Sequence, residues 1–428
     1  MGLLLIALLV TALIGIPVAF ALGGSSLVYF FLQDRPELLR VVPLRMLSGI
    51  DVFTLLAIPM FLFAAECMTG AGITERLVRL AQTLVGHVRG GLAYTNVLIS
   101  LFFGGITGTA LSDVSALGPV LVPAMEKEGY TRGFAAALTA GSSLLGAVIP
   151  PSVVAVVYAG IVGGVSVGAL FLAGVVPGVL ITGSHLAIVA FKGARLRWPK
   201  TERRASLGEV AVGTRDALSA LMMPLIVVCG IVFGVFTATE AAAVAAGYAV
   251  LLGTVVYRSV GVRDLVSMLR RVAVTTAVLL IVASCASIVS WIFGYERVSE
   301  ALAAGLLGIT DDRLLLLLLV VTMLLFVGMW LETLAAIIIF GPVFSSVMVS
   351  LGFHPVHFGM VMLLALVIGF ITPPFGVCLF AASAVARCPV RTIVAEIWPY
   401  IVADVAILIL VALVPELVLW IPRLAGLV

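Results

Sequence analysis

Two adjacent prolines inside a long apolar run constrain this chain more than any other feature. Within the apolar residues 134–162 lies Gly141-Ser-Ser-Leu-Leu-Gly-Ala-Val-Ile-Pro-Pro-Ser152. A proline in a buried helix removes a backbone donor and clashes with the preceding turn, and here there are two in a row. Gly141 and Gly146 loosen the same turns. The segment reads as two half-helices meeting at an unwound joint. Lipid cannot hydrogen-bond the carbonyls set free there, so such a joint survives only against protein or a water-filled cavity. For an isolated break, a proline kink without a ligand is the bland alternative.

The break has a copy. Gly369-Phe-Ile-Thr-Pro-Pro-Phe375 lies 223 positions further on, and the same offset aligns Gly118-Pro-Val120 with Gly341-Pro-Val343. It also aligns Gly129 with Gly352, Gly146 with Gly369, and Gly105 with Gly328. The matches are mostly Gly and Pro, which fix backbone shape, so what repeats is a shape. Corresponding Gly/Pro interruptions in the two halves of a membrane protein point to a binding site, and broken helices at the midplane are where secondary transporters hold ions and anionic substrates.

Composition sets the solvent. The 428 residues are 63% apolar and 11% charged, with mean hydropathy +1.29. A soluble globule does not look like this, and several stretches approach the roughly 20 residues that span a hydrocarbon core. The expected fold class is an all-α polytopic membrane protein. Lys and Arg cluster in loops, so the net charge of +3 carries no sign of nucleic acid. Cys67, Cys229, Cys285, Cys378 and Cys388 are scattered singly, without metal or disulfide spacing. The apolar N-terminus lacks a basic leader and a cleavage site, and reads as a retained first helix.

Along the chain, helices are expected at 2–17, 19–32 and 52–69, with an amphipathic segment at 33–51 and an amphipathic arm at 74–89. Residues 92–126 are apolar but carry a Gly/Thr/Ser/Asp cluster at 104–113, the mark of a re-entrant hairpin with a polar tip. The broken helix follows at 132–163, then a helix at 168–191. The first repeat is thus 1–191, a basic cytoplasmic linker fills 192–216, and the second repeat is 217–428. In the second half, helices are expected at 217–236 and 238–257, a basic arm at 258–271 and a helix at 273–294. A polar connection (295–313) leads to a second hairpin at 314–350, tipped by Gly328-Met-Trp-Leu-Glu-Thr333. The second broken helix is expected at 356–385 and a last helix at 398–420.

Five crossings and one hairpin per half make the two repeats inverted relative to each other. Positive charge favours the cytoplasmic side. With the linker inside, its Lys192, Arg195, Arg197, Lys200, Arg203, Arg204 and Arg215 join Arg76, Arg79, Arg89, Lys127, Arg132, Arg258, Arg263, Arg270, Arg271, Arg387 and Arg391. Only Arg35, Arg40, Arg45, Arg297, Arg313 and Arg423 face the other side. Both termini then lie outside, and the hairpins enter from opposite faces with their tips meeting near the midplane.

A sodium ion takes oxygen ligands, and backbone carbonyls can replace its hydration shell. The first site would join the hairpin residues Thr107 and Thr109 to Gly146, Ile149 and Pro151. The second would join Gly328, Glu332 and Thr333 to Gly369, Thr372 and Pro374. Ser142, Ser143 and Ser152 could hydrogen-bond a substrate, although Ser and Thr in a lone helix bond back to their own backbone. Intramembrane acids are costly and point to function. Asp113 either caps the returning hairpin helix or meets the cation or substrate directly. Glu66, Glu240 and Asp404 read as interhelical or interface groups. His87, His185, His354 and His357 share no ligand spacing, and no phosphate loop, nucleophile elbow or dinucleotide fingerprint is present. Nothing marks an enzyme.

These residues resemble the large membrane subunit of the tripartite ATP-independent periplasmic (TRAP) transporters. The most specific matches are Ala116-Leu-Gly-Pro-Val-Leu-Val-Pro-Ala-Met125 with Glu128-Gly-Tyr130, Gly146-Ala-Val-Ile-Pro-Pro-Ser152, and Phe171-Leu-Ala-Gly-Val-Val-Pro-Gly178. Thr237-Ala-Thr-Glu240 and Thr372-Pro-Pro-Phe-Gly376 are also similar to the family pattern. The resemblance implies an elevator fold in the bacterial inner membrane, working by sodium-driven uptake of an organic anion, usually a carboxylate. It implies a periplasmic substrate-binding protein and a separate small four-helix membrane subunit as partners. It carries sodium-site roles onto Thr107, Thr109, Gly146, Ile149, Pro151, Gly328, Thr333, Gly369 and Thr372. The nearest rival is a single-component sodium–carboxylate carrier, but the Ser-Asn-Thr tips such carriers usually show are absent here. A membrane enzyme would need a nucleophile, base or metal cluster at membrane depth, and a channel would not couple saturable uptake to sodium.

Overall fold

The computed structural model describes residues 2–33, 36–196, 198, 205–310 and 312–428. Arg35, Arg197, Lys200, Arg203 and Arg204, counted above in the charge pattern, lie outside the described residues. All regular structure among the described residues is helical. The first half contains α1 (Gly2–Leu13), α2 (Val18–Leu32), α3 (Val41–Ser48), α4 (Ala57–Gly70), α5 (Ile73–Val85), α6 (Gly91–Thr107), α7 (Ala110–Lys127), α8 (Arg132–Ser142), α9 (Leu145–Val148), α10 (Val153–Val162) and α11 (Val167–Leu196). The second half contains α12 (Leu207–Val232), α13 (Ala238–Leu251), α14 (Val262–Tyr295), α15 (Val298–Leu307), α16 (Arg313–Trp330), α17 (Thr333–Ser350), α18 (Pro355–Phe370), α19 (Val377–Ala386), α20 (Val390–Leu413) and α21 (Glu416–Leu424).

The helix starts follow local chemistry. Thr131 accepts the Phe134 N–H at 3.2 Å and begins α8. Reciprocal capping boxes, Ser206 with Glu209 and Thr237 with Glu240, begin α12 and α13. Asp312 takes the N–H groups of Leu314 and Leu315 at the start of α16. Pro355 sits in the first turn of α18, where its missing donor is not needed.

Eight described helices are long and apolar enough to cross a membrane, and the bent pair around the first proline break makes a ninth. The expectation of five crossings per half is corrected for the first two helices. Gly15, at φ +83°, and Pro17 divide them into 12 and 15 residues, about 18 and 22 Å long.

Three further boundaries differ from the sequence expectation, because charge changes hydropathy without ending a helix and, at the last of them, because a proline divides one expected helix into two. The expected linker at 192–216 is shorter, because α11 continues through Lys192 and Arg195 to Leu196 and α12 starts at Leu207. The basic arm expected at 258–271 is largely the beginning of α14, one helix of 34 residues, about 51 Å long. The last expected helix is two: α20 already starts at Val390, and Pro415 separates it from α21.

The helices pack in two groups that also touch each other, α5 on α6 and α14 on α17. In one, α4 lies against α13 and α14, α14 also carries α2 and α3, and α12 packs on α13 and α5. In the other, the hairpins α6–α7 and α16–α17 hold the broken helices α8–α10 and α18–α19, with α11 and α20 packed behind them. His185 of α11 bonds Asp404 of α20 at 2.9 Å, both fully buried. Lys192 bonds Glu396 along the same pair of helices at 2.6 Å.

Candidate functional site

The first hairpin turns in two residues. Gly108 ends α6 at φ +66°, and its N–H returns to the Gly104 carbonyl at 3.0 Å. A side chain there would be strained, and its Cβ would sit 2.7 Å from Val153 Cγ2. Thr109 is extended and caps α7: its hydroxyl accepts the Ser112 N–H at 3.4 Å and donates to the Ser112 hydroxyl at 2.8 Å. Asp113 follows in the first turn of α7, fully buried, where its Oδ1 accepts the Thr107 hydroxyl proton. The tip is therefore closed from within by the last residue of one helix and the first turn of the next.

The proline break lies directly on this tip, and glycines make the approach possible. A Cβ on Gly104 would come within 2.9 Å of Gly146 Cα, and one on Gly105 within 3.0 Å of the Pro150 carbonyl oxygen. A Cβ on Gly146 would sit 2.9 Å from Asp113 Oδ2 and 3.0 Å from the Thr109 carbonyl oxygen. Asp113 Oδ2 is buried without a hydrogen-bond partner. An orphaned carboxylate oxygen beside backbone carbonyls in a nearly solvent-free pocket is a donor set for a small hard cation rather than a softer metal. Groups of three or more His, Cys, Asp or Glu that could hold a metal ion are absent among the described residues. The Pro150–Pro151 bond is cis, as is Pro373–Pro374.

The structure thus brings Thr107, Thr109, Gly146, Pro151 and Asp113 together. Ile149 is placed differently: its side chain fills the notch at Gly178 of α11, where a Cβ would lie 2.1 Å from Ile149 Cδ1. Only its backbone, which turns extended at the end of α9, remains with the break.

The second hairpin packs by a similar device. A Cβ on Gly369 would fall 2.4 Å from the Leu325 carbonyl oxygen and 2.8 Å from Gly328 Cα, and one on Gly328 would fall 2.4 Å from the Leu366 carbonyl oxygen. Glu332 caps α17 by accepting the Ala335 N–H at 3.1 Å, and Thr333 is buried in its first turn. Thr372 bonds inside its own segment, hydroxyl to Ile368 O at 2.6 Å and N–H to Gly369 O at 2.8 Å. The Trp330 and Phe375 rings, 3.7 Å between centroids, join the tip to the break, while Pro374 is exposed.

The three serine hydroxyls are each bonded to protein. Ser142 shares its hydroxyl with Ser100 of α6 at 2.8 Å and with Asn96 Oδ1 at 3.3 Å. Ser143 donates to Ala140 O at 2.7 Å and lies 3.5 Å from Cys378 Sγ. Ser152 caps α10, accepting the Ala155 N–H at 3.2 Å, and gives its proton to Ala147 O at 2.5 Å. Their hydroxyls are taken up by protein. Glu66 bonds Arg271 at 2.8 Å, Glu240 caps its own helix, and Asp404 bonds His185.

Several participants were not singled out from the sequence. Gly104, rather than Gly105, makes the contact with Gly146. Cys378 joins the second broken helix to Ser143 of the first. Asn96 and Ser100 stand four residues apart on an apolar helix, and that polar stripe was a readable signal. Arg271 faces a crevice of about 490 Å³ between α4, α14 and the first hairpin, lined also by Thr107, Ser112 and Ser115.

Comparison with known proteins places this architecture. The family model described as "Tripartite ATP-independent periplasmic transporter, DctM component" matches residues 5–417. The chain is 38% identical to the sialic acid TRAP transporter large permease protein SiaM of Vibrio cholerae, over 96% of this chain and 95% of that one. It is 34% identical to the C4-dicarboxylate TRAP transporter large permease protein DctM of Pseudomonas aeruginosa, over 95% and 94%. With the isethionate TRAP transporter permease protein DctMQ of Oleidesulfovibrio alaskensis it shares 35% identity over 94% of this chain, which is 63% of that longer protein. Among solved structures, the fold is similar to the YdaH transporter of Alcanivorax borkumensis, with TM-score 0.61 and 18% identity over 91% of this chain and 89% of that one. It is similar also to MtrF of Neisseria gonorrhoeae, with TM-score 0.66 and 12% identity over 90% and 85%. The chain belongs to the DctM component of the TRAP transporters: it is a multi-pass large permease of the bacterial inner membrane, not an enzyme.

Proposed function

We propose that this permease imports an organic acid together with sodium by an elevator motion of one body against the other. The observation that carries the reading is the seating of the first proline break on the first hairpin tip, with Asp113 Oδ2 buried and unpartnered beside Gly146 and the Thr109 carbonyl. A sodium ion bound there and at the second tip would tie each hairpin to its broken helix, so that ion, acid and both hairpins travel as a unit. The two halves are taken as inverted repeats, with the first hairpin entering from the cytoplasm. Ser142, Ser143 and Ser152, already bonded to protein, serve the shape of this unit rather than the cargo.

Relatives named for sialic acid and C4-dicarboxylates support a carboxylate as cargo, and a relative named DctMQ supports a small membrane subunit as partner. A periplasmic binding protein completes the system. Each net positive charge moving inward gains about 2.3 kcal/mol per 100 mV. In proteoliposomes holding the permease and its small subunit, with binding protein outside, an inward sodium gradient should drive uptake and an inside-negative potential should speed it. Equal uptake in potassium alone would overturn the reading, and full uptake without the binding protein would favour a single-component carrier.

A further inference from the structure

The crevice beside the first hairpin carries chemistry that the ion sites leave unused. One wall is the hairpin, with Ser112 and Ser115 beside Thr107 of the ion site; the other is α4 and α14, with Glu66, Thr69 and Arg271. Ser112 and Ser115 are one turn apart on α7 and share a face. Of the charged side chains lining it, Glu66 and Arg271 are the pair described.

Their geometry leaves capacity. Arg271 Nε and Nη2 both bond one oxygen of Glu66, at 3.1 and 2.8 Å, and Nη1 reaches Ser267 Oγ at 3.4 Å. A guanidinium has five N–H donors, and this one is half exposed, so donors remain for a second carboxylate. The hydroxyl protons of Ser115 and Thr69 go to carbonyls of their own helices, Leu111 at 2.9 Å and Ala65 at 2.8 Å. Ser112 receives the Thr109 proton and keeps its own to give.

Resting on the reading of this protein as an acid carrier, we infer that the crevice is a carboxylate subsite on the path between the first hairpin and the solvent. Arg271 and Ser112 are its donors, one on each body. Glu66 is the built-in competitor: it holds the guanidinium in place when the crevice is empty and weakens its grip on the acid, so that cargo leaves. A passage needs binding strong enough to admit an ion and weak enough to release it.

The test needs no transport, so its failure is distinguishable from failure of sodium-driven uptake. Ser115→Cys, in a background with the five native cysteines replaced, reports from the crevice without removing either donor. Its labelling rate is measured against concentration of an anionic reagent, 2-sulfonatoethyl methanethiosulfonate, and a cationic one, 2-(trimethylammonium)ethyl methanethiosulfonate. With Arg271 present, the anionic reagent should bind before it reacts, so its rate should saturate, while the cationic rate stays linear. Arg271→Gln should raise the half-saturating concentration about fivefold or more, or abolish saturation, as should Ser112→Ala to a smaller degree. Arg271→Lys should keep saturation, and Glu66→Gln should lower the half-saturating concentration. A linear anionic rate in the parent, or Glu66→Gln and Arg271→Gln shifting it alike as a simple structural brace would, overturns the subsite.

Discussion

Gly146 has no room for a side chain. A Cβ there would meet Asp113 Oδ2 at 2.9 Å and the Thr109 carbonyl at 3.0 Å, so any larger residue pushes the break off the tip. Misplacing bound partners by about 1 Å costs on the order of 10²-fold in rate. Gly146→Val should therefore lower sodium-driven uptake by about that factor while the protein still elutes as a folded permease. Ser152→Ala should be milder, removing a helix cap worth about 1 kcal/mol and leaving uptake measurable. Wild-type uptake by Gly146→Val would mean the ion site lies elsewhere. Asp113→Asn keeps the shape and removes the charge. Uptake measured across sodium concentrations should then show half-saturation raised about tenfold, equivalent to ~1.4 kcal/mol, and an unchanged value would remove Asp113 from the site.

The helices behind the breaks act as a clamp. His185 and Asp404 are fully buried, and Tyr400 meets the His185 ring edge-on with centroids 5.1 Å apart. Removing one partner of a buried pair strands the other, at a cost of about 3–5 kcal/mol. His185→Ala should lower the thermal unfolding midpoint of the purified protein well below that of His185→Ala combined with Asp404→Leu, because the double change leaves no acid stranded. If the single variant is as stable as wild type, the pair is not what holds α11 to α20. Half of this was legible in the sequence: Asp404 read as an interhelical acid and is one, but nothing near His185 named it as the partner on another helix. Proline and glycine announced both breaks and both hairpin tips because they act on the backbone locally, at their own positions. Charged helix ends extend past the hydropathy boundary, since Lys192 and Arg195 at the end of α11 change hydropathy without stopping a helix. Arg271 and Cys378 stayed hidden for a different reason. Each gains its meaning from a helix far away in the chain, and periodicity carries no record of such a neighbour.

At the scale of the whole molecule, the proposed elevator motion requires one group of helices to move against the other. On that proposal the movers are the hairpins and broken helices, 92–163 and 314–385, and α11 and α20, which pack against them, would travel with them. On the same proposal α21, which packs on α11 and α18, would go with them, and the other helices would form the scaffold, with α5 and α15 leading into the two hairpins. Two residue pairs separate the possibilities. A Cβ on Gly118 would lie 3.6 Å from Val385 Cβ, within the moving unit, and a Cβ on Gly160 would lie 3.2 Å from Thr54 Cβ, across the two bodies. Both separations are near those of a disulfide. In a background without native cysteines, oxidising Gly118→Cys with Val385→Cys should leave sodium-driven uptake intact. Oxidising Thr54→Cys with Gly160→Cys should stop it, and reductant should restore it. Uptake that survives the Thr54–Gly160 bridge would contradict motion of one body against the other.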